Sequence, residues 1–176
     1  YLRSIGYEIG SGVMIGIPGQ TYEDLANDIE LFRELDLDMI GVGPFLPHEK
    51  TPLGKEEEQL WAPLGEQVPN SELMTYKVVA LTRLVCPYAN IPSTTALATV
   101  NTKNGRELGL KRGANIVMPN VTPPQYREKY EIYPAKACIR ETADMCHQCM
   151  KHRIESIGRQ IGKGRGDSPN RTTRRD

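Results

Sequence analysis

No apolar stretch of this chain approaches the roughly 18–20 residues that a bilayer span needs, so a helical membrane protein is not expected. An excess of charge is lacking too: 22 Lys and Arg balance 22 Asp and Glu. Without a net field, neither nucleic acid nor an anionic membrane is expected as a partner. There is no basic start followed by an apolar core, the mark of an export signal, and a cytoplasmic location is therefore expected. Cysteine is sparse, with Cys86, Cys138, Cys146 and Cys149 the four present. In a reducing compartment such clustered thiols serve metals or redox chemistry more often than disulfides. What remains is 176 residues with 39% hydrophobic content, enough for one domain with a core. The opening Tyr1-Leu2-Arg3-Ser4 reads as the end of a helix already in progress, the first hint of a truncation.

Four units of one kind follow in order. Short apolar runs suited to buried parallel strands occur at Ile9 to Ile15, Met39 to Gly43, Asn90 to Pro92 and Asn115 to Met118. Thr21 is the expected N-cap of the first helix, with Asp24 as its capping-box carboxylate and Leu25, Ile29, Phe32 and Leu35 as its apolar stripe. The second helix is expected from about Ser71, with Leu73, Val78, Leu81 and Val85 facing inward. A third is expected from about Lys103 to Lys111, and a last one from Met150 to Arg159. A charged, proline-containing insert occupies roughly residues 55 to 70.

Alternating strands and helices imply an α/β fold with parallel pairing and right-handed crossovers. Four units of roughly 30 residues are half of an eight-unit (β/α)8 TIM-type barrel of about 250 residues. A flavodoxin-like open sheet is the alternative, but it gathers ligand groups at one switch point. Here every strand end carries a Gly, Pro, Thr or Asn cluster, as a barrel mouth requires. The expected organisation is a half barrel over residues 1–135, a cysteine segment with a final helix over 136–162, and a basic, disordered tail over 163–176.

The strand ends hold the candidate chemistry. Pro18-Gly19-Gln20 forms a turn where backbone amides can approach a ligand beside a helix N-terminus. Pro44-Phe45-Leu46-Pro47-His48 offers a stiff backbone to a flat ring, and His48 is either a base or ligand or an ordinary loop residue. Ser93-Thr94-Thr95 can bind a small anion, cap a helix, or do both. Met39 and Met118, near strand ends, are either soft contacts or core. Cys138-x7-Cys146-x2-Cys149 can hold zinc or an iron–sulfur cluster with one position open, with three structural thiols as the alternative. Cys86, behind an apolar run, reads as a buried hydrophobe.

Taken together, several stretches resemble the second half of radical S-adenosylmethionine (SAM) barrels. They are residues 12–21 (GVMIGIPGQT), residues 38–48 (DMIGVGPFLPH), Thr51-Pro52-Leu53, Ile91 to Ala96, Gly113 to Asn120 and Tyr130-x2-Tyr133-Pro134. Within that superfamily they are most similar to the [FeFe]-hydrogenase maturases of the biotin-synthase-like group. The resemblance implies units five to eight of the barrel, with Pro44 and Leu46 packing on the adenine of SAM. It also implies that Thr94 and Thr95 belong to an anion site, that Met39, Met118 and Tyr133 line the substrate cavity, and that Cys138, Cys146 and Cys149 ligate an accessory iron–sulfur cluster. The Cys-x3-Cys-x2-Cys motif of the catalytic [4Fe–4S] cluster is not among these residues. The implied parent enzyme cleaves SAM reductively to a 5′-deoxyadenosyl radical that acts on an organometallic iron–CO–cyanide precursor. Other hydrogenase maturation proteins are its implied partners. A biotin synthase or methylornithine-synthase-like enzyme is one alternative, and an inactive fragment or metal-binding module is another.

Overall fold

A computed structural model describes residues 1–55, 62–63, 65–130, 132, 135, 137 and 142–173. Strand β1 (Gly10–Ile15) pairs in parallel with β2 (Met39–Pro44), with Gly10 opposite Met39 and Ile15 opposite Pro44. The other two expected strands are reduced to isolated parallel bridges. Met39 and Val42 bridge Asn90 and Ser93, and Pro92 bridges Ile116, so four segments lie side by side in chain order. Pro92 lacks an N–H and cannot complete a ladder, and Asn115 turns its side chain inward to take the Ile91 amide at 2.8 Å. The architecture is thus mixed α/β around a small parallel sheet.

Helix α1 (Tyr22–Glu34) starts at Thr21, whose hydroxyl accepts from the Asp24 amide while the Asp24 carboxylate accepts from the Thr21 amide. That capping box is worth about 1 kcal/mol. Helix α2 (Glu72–Val85) starts at Ser71, as expected. Helices α3 (Thr95–Val100) and α4 (Gly105–Lys111) follow, then α5 (Pro124–Arg127), α6 (Ala143–Ser156) and α7 (Pro169–Thr173). No helix of the described residues is long and apolar enough to cross a membrane.

The core lies between one sheet face and α1, α2 and α4. Ile15, Ile40, Val42, Phe32, Val78 and Val79 are among its buried residues. Leu35, Leu73 and Leu81 were expected inside but are 43%, 62% and 49% exposed. The inward face of α2 is carried by Thr75, Tyr76, Val78, Val79 and Thr82 instead. Threonine serves there because a helical hydroxyl can bond the preceding turn, as Thr75 does to the Ser71 carbonyl at 3.0 Å.

On the opposite sheet face, Gly10, Gly12 and Met14 stand opposite Met39, Gly41 and Gly43, and this face is largely bare. Close approach demands glycine at one point. A Cβ on Gly12 would lie 2.3 Å from the Gly41 carbonyl oxygen.

Within the segment expected to be a disordered tail, residues 166–170 are docked beneath the N-terminal ends of the strands. Asn170 Nδ2 donates to the Leu37 carbonyl, and Asn90 Nδ2 to the Gly166 carbonyl. The Ser168 amide donates to Glu8, and Ser168 is fully buried. Hydrogen bonds from small polar residues hold this strap, and apolar periodicity cannot reveal such an anchor.

Candidate functional site

The C-terminal ends of the four parallel segments lie along one rim, so the loops after them share it. After β1 the chain turns at Gly16 with φ +80°. Gln20, 6% exposed, closes the turn: its Oε1 accepts from the Gly16 amide at 2.6 Å and its Nε2 donates to the Met14 carbonyl. Gln67 clasps the same turn, accepting from the Gly19 amide and donating to the Ile17 carbonyl. The amides of Gly16, Gly19 and Gln20 are therefore spent within the protein. The Pro18-Gly19-Gln20 turn shapes the rim rather than offering those amides to a ligand.

After β2, Pro44 is buried and Leu46 half-buried. The Phe45 amide donates to the Ile15 carbonyl at 2.9 Å, fixing this segment beside the glycine turn. Pro44 continues the buried alternation of Ile40 and Val42, so Phe45 and Leu46 are the partly open apolar side chains at this rim position. His48 Nδ1 accepts from the Lys50 amide, a loop role. Met39 begins β2, whereas Pro44 ends it, so the two stand about 16 Å apart along the strand. Met39 shares the bare face with Met14 but not the rim with Leu46.

Thr94 is the N-cap of α3, its hydroxyl accepting from the Leu97 amide at 3.3 Å. Thr95 Oγ1 accepts from Arg106 Nη2 at 3.4 Å. Met118 is 50% exposed at the fourth rim position. The segment behind Met118 is tied down by a residue that the motifs did not mark. Arg127, 2% exposed, donates to the Asn120 and Thr122 carbonyls at 2.9 and 2.6 Å. A lone arginine in a loop-like stretch carries no sequence signal for such a clamp.

The cysteine segment is helical from Ala143 rather than from Met150, with Thr142 as N-cap. Cys146 and Cys149 are one turn apart on α6. Cys146, 1% exposed, accepts from the Asn120 amide at 3.3 Å, and exposed Cys149 accepts from Arg153 Nε at 3.4 Å. Sulfurs that receive N–H donors suit thiolate ligation. Cys138 and Tyr133 lie outside the described residues, and among the described residues no group of three metal-ligating side chains forms.

Exposure separates the thiols chemically. In a brief native iodoacetamide pulse read by mass spectrometry, Cys149 should be alkylated before Cys146 and Cys86. Cys146 and Cys86 should stay protected until unfolding, and burial also pushes the Cys86 thiol up. Equal labelling rates would contradict the placement of Cys146 beneath the Asn120 loop.

No protein-family model matches the chain. It is 44% identical over 165 residues to the [FeFe] hydrogenase maturase subunit HydE of Thermotoga maritima, covering 94% of this chain and 44% of that protein. It is 32% identical over 117 residues to the 3-methylornithine synthase of Methanosarcina acetivorans, covering 66% of this chain and 29% of that protein. The corresponding protein of Methanosarcina barkeri is 29% identical over 124 residues. The chain thus spans less than half the length of the curated relatives it matches. The resemblance read from the strand-end and cysteine motifs is borne out: over nearly its whole length this chain is a relative of the HydE maturase, within the radical SAM enzymes.

Proposed function

We propose that this chain forms the C-terminal half of a radical SAM β/α barrel acting in [FeFe]-hydrogenase maturation. The identity to HydE across 94% of the chain carries this reading. Four parallel segments in chain order, with their ends on one rim, are the arrangement that half a barrel would contribute. The bare glycine face of β1 and β2 would then look into the barrel.

Under this reading, radical SAM chemistry would supply a 5′-deoxyadenosyl radical at a [4Fe–4S] cluster held by other parts of the parent protein. The residues here bind and position. Pro44 and Leu46 provide an apolar ledge for the adenine. Thr94 and Thr95 place hydroxyls at the third rim position for an anionic group of the substrate, an iron–CO–cyanide species. The resemblance assigns Met39, Met118 and Tyr133 to the substrate cavity, and Arg127 fixes the loop that carries Met118. Cys138, Cys146 and Cys149 would hold an accessory cluster, and no step is routed through it. The setting is an anaerobic cytoplasm, with other maturation proteins as partners.

A second reading, a methylornithine-synthase-like enzyme, is favoured by the similarity to the two Methanosarcina proteins.

The test uses this chain alone and a chimaera in which it replaces the matching 44% of Thermotoga HydE. With SAM and a reductant, the chain alone should give no 5′-deoxyadenosine, and the cluster-loaded chimaera should give it. A yield from the chain alone, or none from a folded and loaded chimaera, would overturn the proposal. A chimaera that forms 3-methylornithine and matures no hydrogenase would select the second reading.

A further inference from the structure

Behind the third rim position, on the helical side of the molecule, lies a cavity of about 220 Å³. Its walls include Ala98 and Thr102 at the end of α3, Arg106 on α4, and Cys149, Met150 and Arg153 on α6. Arg106 is only 4% exposed. Its Nη2 reaches the Thr95 hydroxyl at 3.4 Å, and its buried Nη1 has no hydrogen-bond partner.

A guanidinium cannot shed its charge at any ordinary pH. Burying one without a counter-ion is costly, and buried charges are otherwise paired. Among the described residues no carboxylate pairs with Arg106. The neighbouring Glu107 points its Oε1 at Arg153 Nη1, 2.8 Å away. The Asn101 side-chain oxygen accepts from the Asn104 amide instead. The second cation, Arg153, has its Nε on the Cys149 sulfur and its Nη1 on Glu107 and the Lys103 carbonyl. Among the described residues, the two guanidinium groups at the pocket meet one carboxylate, an excess of one positive charge.

We propose that this cavity is a binding site for a small oxyanion, a carboxylate or phosphate group, held by Arg106 Nη1. Arg153 provides the second positive charge and the Thr102 hydroxyl lies at the mouth. The guanidinium edge matches the oxygens of either group. The volume suits an anion of a few heavy atoms with its water, and Ala98 and Met150 bar a larger polar ligand from the inner wall. The proposal stands on the Arg106 geometry.

The test titrates the whole chain with inorganic phosphate and, separately, with acetate, at constant ionic strength set by sodium chloride. The thermal midpoint should rise saturably with at least one oxyanion and stay flat with chloride alone, because a ligand that binds only the folded state stabilises it. The more effective oxyanion tells carboxylate from phosphate. Arg106→Met should weaken the apparent affinity about tenfold or more, the scale expected for a charge-assisted bond. Should Arg106→Met fail to fold, Thr102→Glu decides. That substitution puts a carboxylate at the exposed mouth, and it should raise the midpoint without added anion and abolish the oxyanion response. A midpoint insensitive to both oxyanions, or an unaltered response in the variants, would overturn the site.

Discussion

Gly16→Ala is expected to destabilise the chain by about 3 kcal/mol or more, a large effect for adding one methyl group. Two costs combine. The residue sits at φ +80°, a left-handed conformation that costs a side-chain-bearing residue roughly 1–2 kcal/mol. The new Cβ would also lie 2.2 Å from the Asn70 amide nitrogen and 2.4 Å from its Cα. Relief requires moving the residue that precedes the Ser71 cap of α2, so the helix start moves too. Urea unfolding would measure the loss, and a change below about 1 kcal/mol would mean that the turn is far more pliant than its contacts indicate. Within a radical SAM barrel the same turn would shape the ledge beside Leu46, so a chimaera carrying this substitution should lose SAM cleavage as well as stability.

Arg83→Met should cost about 2–4 kcal/mol, in the range for losing a partly buried hydrogen-bond network. The side chain is partly buried and ties three segments together. Nε donates to the Gly113 carbonyl at 2.8 Å. Nη1 donates to the Pro87 and Ala89 carbonyls at 2.7 and 2.8 Å, and Nη2 to Asn115 Oδ1 at 2.8 Å. Methionine keeps much of the stem but takes this donor away from the Gly113, Pro87 and Ala89 carbonyls, each a penalty of about 1–3 kcal/mol where water cannot reach. Asn115 also takes the Ile91 amide and donates to Asn90, so its displacement would loosen the third and fourth parallel segments. Arg83→Lys should recover little, because one ammonium cannot span carbonyls on different sides. Comparison of the three proteins by thermal unfolding would check this. A lysine variant as stable as the parent would show that charge rather than the guanidinium fork matters.

The exposed leucines of α2 carry a lesson about periodicity. Leu73 and Leu81 match a helical stripe by type, yet the stripe that packs runs through Thr75, Val78, Val79 and Thr82. The Thr75 hydroxyl, bonded to its own helix, is cheap to bury, so hydrophobic type alone misplaces the inward face by a fraction of a turn. The cysteine segment misleads in a related way. Its metal-like spacing is real, but Thr142 starts a helix there, and α6 sends Cys146 under the Asn120 loop while Cys149 stays exposed.

By itself the sequence determined the order of elements, because β-rich apolar runs, N-caps at Thr21 and Ser71 and helical stripes are local signals. It also determined the relationship to HydE, which rests on residues clustered after each strand. Tertiary structure alone decided which groups remain free to act. The amides of the glycine turn are consumed by Gln20 and Gln67, the latter from nearly fifty residues away. Arg127 fixes the Met118 loop, Ser168 and Asn170 anchor the chain end, and Arg106 Nη1 is buried without a partner. The pairings of Gln67, Ser168 and Asn170 join residues distant in sequence. Hydrogen-bond satisfaction depends on where the partner lies in space, and no local pattern encodes that.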